Sequence, residues 1–316
     1  MKRLKAFLSC GIAAVCMAAM LALMSGCSSQ ESYTPPEKSP TLSSPTIGKD
    51  GVLRVGVNTQ NQPLAGQSTT SSKIVGIDVD IAAALADSFG LKLELVDVGT
   101  DFATALTEGK VDIVMGVDKS DSDTSFWKSE IYLPTAVALF SAEGNATVPT
   151  NDMKPTIAAQ VASKSAWAVT NEFDQAVFSA TSDLPSAFSS LAAGEVQYVA
   201  SDAVIGTYAA HIADNAVQIV ALMQQPSGYC VGVLDSNTDL KQAISDTLAS
   251  LTGNGVISVI EKKWLGTTLD LASVALTDGA TAASTTTTTP EPEAQPEGEE
   301  APAEGEGEGG EAADAA

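Results

Sequence analysis

Between residues 52 and 116 the chain alternates three apolar runs with two segments of helical spacing, and this alternation restricts the fold more than any other feature. VLRVGV (52–57), LKLELVDV (91–98) and VDIVMG (111–116) read as strands. GIDVDIAAALADSFG (76–90) carries apolar residues at helical spacing, with Asp78 as its expected N-cap and Gly90 as its stop. DFATALTEG (101–109) is a shorter helix closed by Gly109. Strand, helix, strand, helix, strand implies crossover connections and a parallel sheet. A second series follows: TIAAQ (156–160), a helix opened by Ser163 in SKSAWAVTNEF, a helix in SDLPSAFSSLAAG (182–194), and strands in VQYVAS (196–201) and AVQIVAL (216–222). The fold class is α/β.

LTEGKVDIV (106–114) and LAAGEVQYV (191–199) share Leu, Gly, Val and Val at identical spacing. Each combines a helix end, a glycine cap and a buried strand. Each strand then runs into a loop with an aspartate, Asp118 in one and Asp202 in the other. Ligands of open α/β sheets sit beyond the carboxyl ends of strands. Two such lobes facing each other would line one cleft with both loops.

The ends of the chain are not part of this pattern. Residues 1–27 combine a basic start (Lys2, Arg3, Lys5) with an apolar segment, Ala6 to Met24, the pattern of a secretory signal. Its close, Met-Ser-Gly-Cys, resembles a bacterial lipobox, which makes Cys27 the expected site of lipid attachment; a transmembrane anchor is the alternative. Residues 28–49, rich in Ser, Pro and Thr, read as a flexible linker. Residues 278–316 hold eleven acidic residues and no Lys or Arg, and read as an acidic disordered tail.

Composition excludes several functions. The net charge is −23, and residues 49–277 alone carry 26 acids against 12 bases, which argues against a nucleic-acid partner. His211 is the single histidine, so sites needing two His ligands are excluded. Cys230 is the single cysteine after residue 27 and cannot form an internal disulfide; in YCVGVL it reads as a small buried hydrophobe. The acidic loop DKSDSD (118–123) begins like a calcium loop, but it lacks the glycine at the sixth place, and Glu130 is the only acid near the twelfth. No metal and no cofactor are expected.

At GVLRVGV (51–57), GIDVDIAAALA (76–86), ALTEGKVDIVMG (105–116), SDAVIGTYA (201–209) and GNGVISVIEKKWLG (253–266), the chain resembles the extracytoplasmic solute-binding proteins of amino-acid ABC importers, solute-binding family 3. The resemblance spans roughly residues 51–267. It implies a two-lobed, periplasmic-binding-protein-like (type II) fold, each lobe a mostly parallel sheet flanked by helices, joined by two hinge strands. Lobe 1 would comprise 50–138 and 225–270 and lobe 2 residues 139–224. The chain would leave lobe 1 near Ala138–Ser141 and return near Met223–Gly228. It further implies a small-molecule ligand, an ABC permease as partner, a place on the outer face of the cell membrane, closure as the working motion, and no catalysis. A ligand sensor and a cyclohexadienyl-dehydratase-like enzyme are the alternatives on the same fold.

One loop departs from the family. Its pattern there is Gly-x-Thr-x-Thr-x-x-Arg, the Arg holding the ligand's carboxylate and an Asp on lobe 2 its amine. Here the positions are Gly116, Asp118, Ser120 and Asp123, with Asp202 matching on lobe 2. The one Arg beyond residue 27 is Arg54, inside a strand, so no planar clamp is at hand. Lys119 in the loop, or Lys164 at a helix start, could meet a carboxylate as a point charge. The first loop has Asn61 and Leu64 where family aromatics would stand; Phe102, Trp127 or Trp167 could supply a ring, and core or surface packing is the alternative for each. The candidate ligand-binding residues are therefore Asn58, Asn61, Phe102, Gly116, Asp118, Lys119, Ser120, Asp123, Gln160, Ser163, Lys164 and Asp202. Three cleft carboxylates, Asp118, Asp123 and Asp202, favour a ligand bearing an amine or other cation. A standard amino acid held by Lys119 or Lys164 stays open, as does a plain turn role for Asp121 and Asp123.

Overall fold

The computed structural model describes residues 38–122, 125–174 and 176–281. The expected signal, Cys27, Asp123 and the stretch from 282 onward lie outside them.

The chain opens with β1 (Val52–Val57), β2 (Gly66–Gln67), β3 (Ile74–Val75), α1 (Ile77–Ser88), β4 (Lys92–Asp97), α2 (Phe102–Thr107), β5 (Ile113–Asp118), β6 (Trp127–Lys128) and β7 (Leu133–Thr135). Its middle holds β8 (Val137–Ala142), β9 (Thr156–Gln160), α3 (Lys164–Glu172), β10 (Val177–Thr181), α4 (Leu184–Ala192), β11 (Tyr198–Asp202), α5 (Ala203–Ile212) and β12 (Val217–Gln224). It closes with β13 (Ser227–Val233), α6 (Thr238–Gly253), α7 (Val256–Leu265) and β14 (Leu276–Thr281).

Two sheets repeat one plan. The first runs β4-β1-β5-β13-β6, with β7 also on β13; the second runs β10-β9-β11-β8-β12-β14. In each, a central strand lies parallel to two neighbours: β1 between β4 and β5, and β9 between β10 and β11. Helices cover the faces, so the inner strands β1, β5, β9 and β11 read as largely apolar runs, whereas the edge strands β4 and β10 are partly exposed. The two segments matched in sequence occupy equivalent places, each a helix, a glycine at positive φ (66° at Gly109, 73° at Gly194) and the third strand of its trio. Both third strands, β5 and β11, end in an aspartate. In the second sheet's core Phe140 and Phe188 meet edge to face, ring centroids 5.5 Å apart.

The chain passes from the first sheet to the second at Ala136 and returns at Gln225–Pro226. The exit thus precedes Ala138–Ser141, which lie inside β8. A further crossing follows α7. Leu269 packs against the cores of both sheets, Leu271 is buried in the second, and β14 pairs in parallel with β12. Residues 278–281 are therefore strand, not the start of a solvated tail. The free edge of β12 explains this, because its N–H and C=O groups need partners; the Gln225 amide donates to Thr281 O at 2.8 Å.

The linker expectation is also corrected at its C-terminal end. Residues 38–49 lie against the first lobe. Ile47 is fully buried, Thr41 N–H donates to Phe89 O (3.0 Å), and Asn237 Nδ2 donates to Thr46 O (2.9 Å). Two isolated apolar residues, Leu42 and Ile47, suffice to anchor a segment whose average composition is that of a tether. Cys230 is buried, as expected for a small apolar residue, and burial pushes its thiol up to about 12.

Glu261 of α7 is 6% exposed, and burial alone pushes its carboxyl up to about 7. The folded state therefore binds more protons than the unfolded chain between the ordinary glutamate range and pH 7, and stability falls as pH rises through that window. Glu261→Gln removes the ionisation penalty. It should raise stability by about 2 kcal/mol at pH 8, roughly 5 °C in Tm, with the gain vanishing near pH 5. Melting curves of parent and variant at both pH values check this; equal differences at both would refute it.

Candidate functional site

A pocket of about 190 Å³ opens beyond the carboxyl ends of the first sheet's strands. Asn58, Asn61 and Leu64 line it from the loop after β1, Thr100 and Phe102 from the start of α2, Met115, Gly116 and Asp118 from β5, and Tyr229 from β13. Asp121 and Asp78 complete the lining. Among the described residues it presents three carboxylates and no Lys, Arg or His.

The glycine of the loop is demanded by its geometry. Gly116 has φ of 75°, and a Cβ there would lie 2.7 Å from Asp78 Oδ2. Its N–H donates to the Tyr132 hydroxyl oxygen (2.9 Å), and that hydroxyl donates to Asp78 Oδ1 (2.5 Å). Asp78 is not the N-cap expected of it: Gly76 holds that position, and Asp78 points inward from the first turn. Burial pushes its carboxyl up to about 7, against the opposing pull of the Tyr132 hydrogen bond.

Asp118 Oδ1 accepts from Ser120 N (2.9 Å), Ser120 Oγ (2.7 Å) and Ser227 Oγ (3.2 Å). Ser120 thus orients Asp118. From the second lobe, Asp202 caps α5, with Oδ1 accepting from Val204 N (2.9 Å) and Ile205 N (3.0 Å), while Oδ2 accepts from Thr135 Oγ1 (2.7 Å). Burial raises its carboxyl, and Asp118 adds to the rise. Burial first, then Asp118, raises Asp121, while Lys128 and Lys164 pull it down. Asp202 and Lys164 of the second lobe therefore lie within electrostatic reach of the first lobe's acidic turn.

The lysine expected in the cleft turns away. Lys119 Nζ donates to Ser129 O (2.5 Å) and Lys128 O (3.4 Å). Lys128 Nζ is likewise held by the carbonyls of Lys119 (2.9 Å), Asp118 and Asp121. Flexible ammonium stems take the nearest carbonyls, and these satisfy them without reaching the pocket. Ser163 caps α3 through Ala166 N (3.0 Å), and Gln160 and Lys164 are exposed and line no part of the pocket. Trp127 packs at the edge of the first core, and Trp167 stands exposed on α3. Arg54 is locked to Asp112 at the opposite end of β1.

The family model described as bacterial extracellular solute-binding proteins, family 3, matches residues 53–267. The chain belongs to that family. The L-cystine-binding protein TcyA of Bacillus subtilis (strain 168) is 23% identical over 231 residues, covering 70% of this chain and 84% of that protein. A polar amino acid ABC uptake transporter substrate binding protein from Streptococcus thermophilus superposes with a TM-score of 0.62 at 20% identity, over 69% of this chain and 87% of its own. The L-cystine solute receptor of Neisseria gonorrhoeae, unliganded and open, gives 0.60 at 19%, over 69% and 94%. These structures share the two-lobed fold. Among the described residues no helix is long and apolar enough to cross a membrane, and no group of acidic, His or Cys side chains is placed to hold a metal.

Four pocket residues of this family 3 protein, Asp78, Thr100, Met115 and Tyr229, escaped sequence reading as site residues. Asp78 had a signal, because it falls on the same helix face as Ala82 and Leu85, which are buried. Tyr229 had none beyond its place in an apolar run. Burial, then Asp202, Asp118 and Asp78, hold its phenol well above the usual range.

Proposed function

We propose that this chain is the extracytoplasmic substrate-binding lipoprotein of an ABC importer, held to the membrane through Cys27. It captures an amino acid or related amine-bearing small solute between its lobes, closes on it, and presents it unchanged to a permease. Family membership supports the solute-binding role. The observation that carries the ligand class is the pocket lining, which offers Asp78, Asp118 and Asp121 with no cationic side chain among the described residues. Asp118 and Asp121 are half-buried acids that raise one another's charging cost, and a cationic ligand lowers it. Asp118 and Asp202 are the carboxylates that would take the amine, with Asn58, Asn61 and Phe102 bounding the solute.

Melting the full chain against amino acids, amines and organic acids tests this reading. A ligand at about 100 times its Kd should add about 2.7 kcal/mol, several degrees in Tm. Asp202→Asn, which can still cap α5, should weaken an amine-bearing hit by about tenfold or more. A screen in which no compound moves Tm would sink the receptor reading; a hit whose affinity ignores Asp202→Asn would remove that residue from the site.

A further inference from the structure

Helix α5 is shared between the two lobes. Its Ala203, Ala209 and Ala210 are buried in the core of the second lobe, while Val204 is buried in the core of the first and Tyr208 packs against that same core. Val204, Tyr208 and His211 recur at i, i+4 and i+7, so they form one face of α5, and α5 packs on α7. The Tyr208 and Trp264 rings meet at 6.4 Å between centroids, inclined by 48°. The His211 ring covers Gly266 at the end of α7, where an added Cβ would stand 2.6 Å from Nδ1. None of these residues lines the pocket.

The pocket itself is lined, among the described residues, by the first lobe alone. A solute bound there is enclosed only when the second lobe swings in. The swing turns about Gln225–Pro226 and about Ala136, whose carbonyl accepts from Ala203 N (2.9 Å). Val204 sits beside that pivot. His211 stands farther along α5, about 12 Å from Ala203, so a lobe rotation of about 15° across the helix carries it about 3 Å over α7. Trp264 cannot follow, because its Nε1 donates to Asp80 Oδ2 (2.7 Å) on α1, as does Lys263 Nζ (2.6 Å). The link from Gly266 to Leu271, which is buried in the second lobe, spans at most about 18 Å and keeps the end of α7 beside that lobe.

We propose that this seam between α5 and α7 holds the lobes apart, and that closure on a solute must part it. Tyr208 and His211 are then positioning residues, which set affinity from outside the pocket. The proposal rests on the receptor reading above and adds to it a brake on closure. Contacts made only in the open arrangement lower the closed fraction, and the apparent Kd rises by the inverse of that fraction. Loosening the seam therefore tightens binding while it lowers stability. A contact that merely supports the fold would lower stability and leave affinity unchanged or weaker.

Calorimetric titration of the full chain with each standard amino acid and with putrescine tests the seam. Every solute that binds the parent should bind Tyr208→Ala about two- to tenfold tighter, with a lower Tm. His211→Ala, which uncovers Gly266, should move both quantities in the same directions. Tyr208→Phe, which keeps the ring on Trp264, should behave as the parent does. Hydrogen exchange gives a second readout that needs no ligand. The amides of residues 58–66 and 118–122, around the pocket, should exchange more slowly in Tyr208→Ala than in the parent, because the variant spends more time closed. Affinity that is unchanged or weaker in Tyr208→Ala, or pocket exchange that is unchanged or faster, would overturn the seam and leave a solute receptor. If no solute binds the parent, the receptor reading falls, and slower pocket exchange in the variant would still uphold the seam.

Discussion

Asp112→Ala lowers the stability of this chain by about 3–5 kcal/mol, roughly 10 °C in Tm, without touching the pocket. Asp112 has a side chain only 4% exposed, set against an Arg54 side chain 17% exposed. Its Oδ1 accepts from Arg54 Nη2 (2.6 Å) and Gly48 N (2.8 Å), and its Oδ2 from Arg54 N (2.9 Å) and Nε (3.2 Å). Removal leaves a guanidinium in a poorly solvated site with only the Gly109 and Lys110 carbonyls, and it orphans two backbone amides. It also releases Gly48, and with it the segment that lays Ile47 on the first core. Replacing both partners together, Arg54→Met with Asp112→Leu, should recover part of the loss, because neither charge then stays buried alone. Thermal melts of the three variants decide this. A single variant losing less than about 1 kcal/mol would show the pair to be dispensable.

The same pair explains why the ligand-binding part of the sequence could be read only in outline. That Arg54 sits in a strand is visible from VLRVGV, and so is the lack of any other arginine to clamp a carboxylate. The partner is not visible, because Asp112 stands 58 residues away and meets Arg54 only through the parallel pairing of β1 with β5. The strands, their parallel order and the two-lobed plan were legible because parallel sheets covered on both faces demand apolar runs, and glycine caps mark where helices end. That Asp118 and Asp202 close the third strand of each trio was legible from the matched segments; Asp118 lines the pocket, while Asp202 caps α5 and is not part of the lining. Lys119 was misread because its sequence neighbours are acidic, whereas the carbonyls of residues 128 and 129, brought near by β6, capture its ammonium first. Residues 38–49 and 278–281 were misread because composition averages over a window, and single anchors or an unpaired strand edge do not register in an average.

Gly76→Ala should cost about as much, and it should abolish ligand binding as well. Gly76 has φ of 153°, and an added Cβ would lie 2.0 Å from Leu64 O, 2.6 Å from Leu64 C and 2.8 Å from Ala65 Cα. All three are backbone atoms, so no rotamer change relieves the clash; the chain at 63–65 must move away from the start of α1. Two hydrogen bonds hold those segments together, Ile77 N to Pro63 O (3.0 Å) and Asp78 N to Leu64 O (2.9 Å), and the displacement breaks both. Strain and overpacking together come to about 3–5 kcal/mol. Gly51→Ala separates the clash from the backbone conformation, since Gly51 has φ of 74° with nothing within 4 Å of its would-be Cβ, and it should cost only about 1 kcal/mol. The functional consequence follows from what Gly76 joins. On one side of it stand Asn61 and Leu64, on the other Asp78, and all three line the pocket. Tm and ligand titration of both glycine variants check the outcome, and equal effects from the two would mean that the close approach at Gly76 does not shape the site.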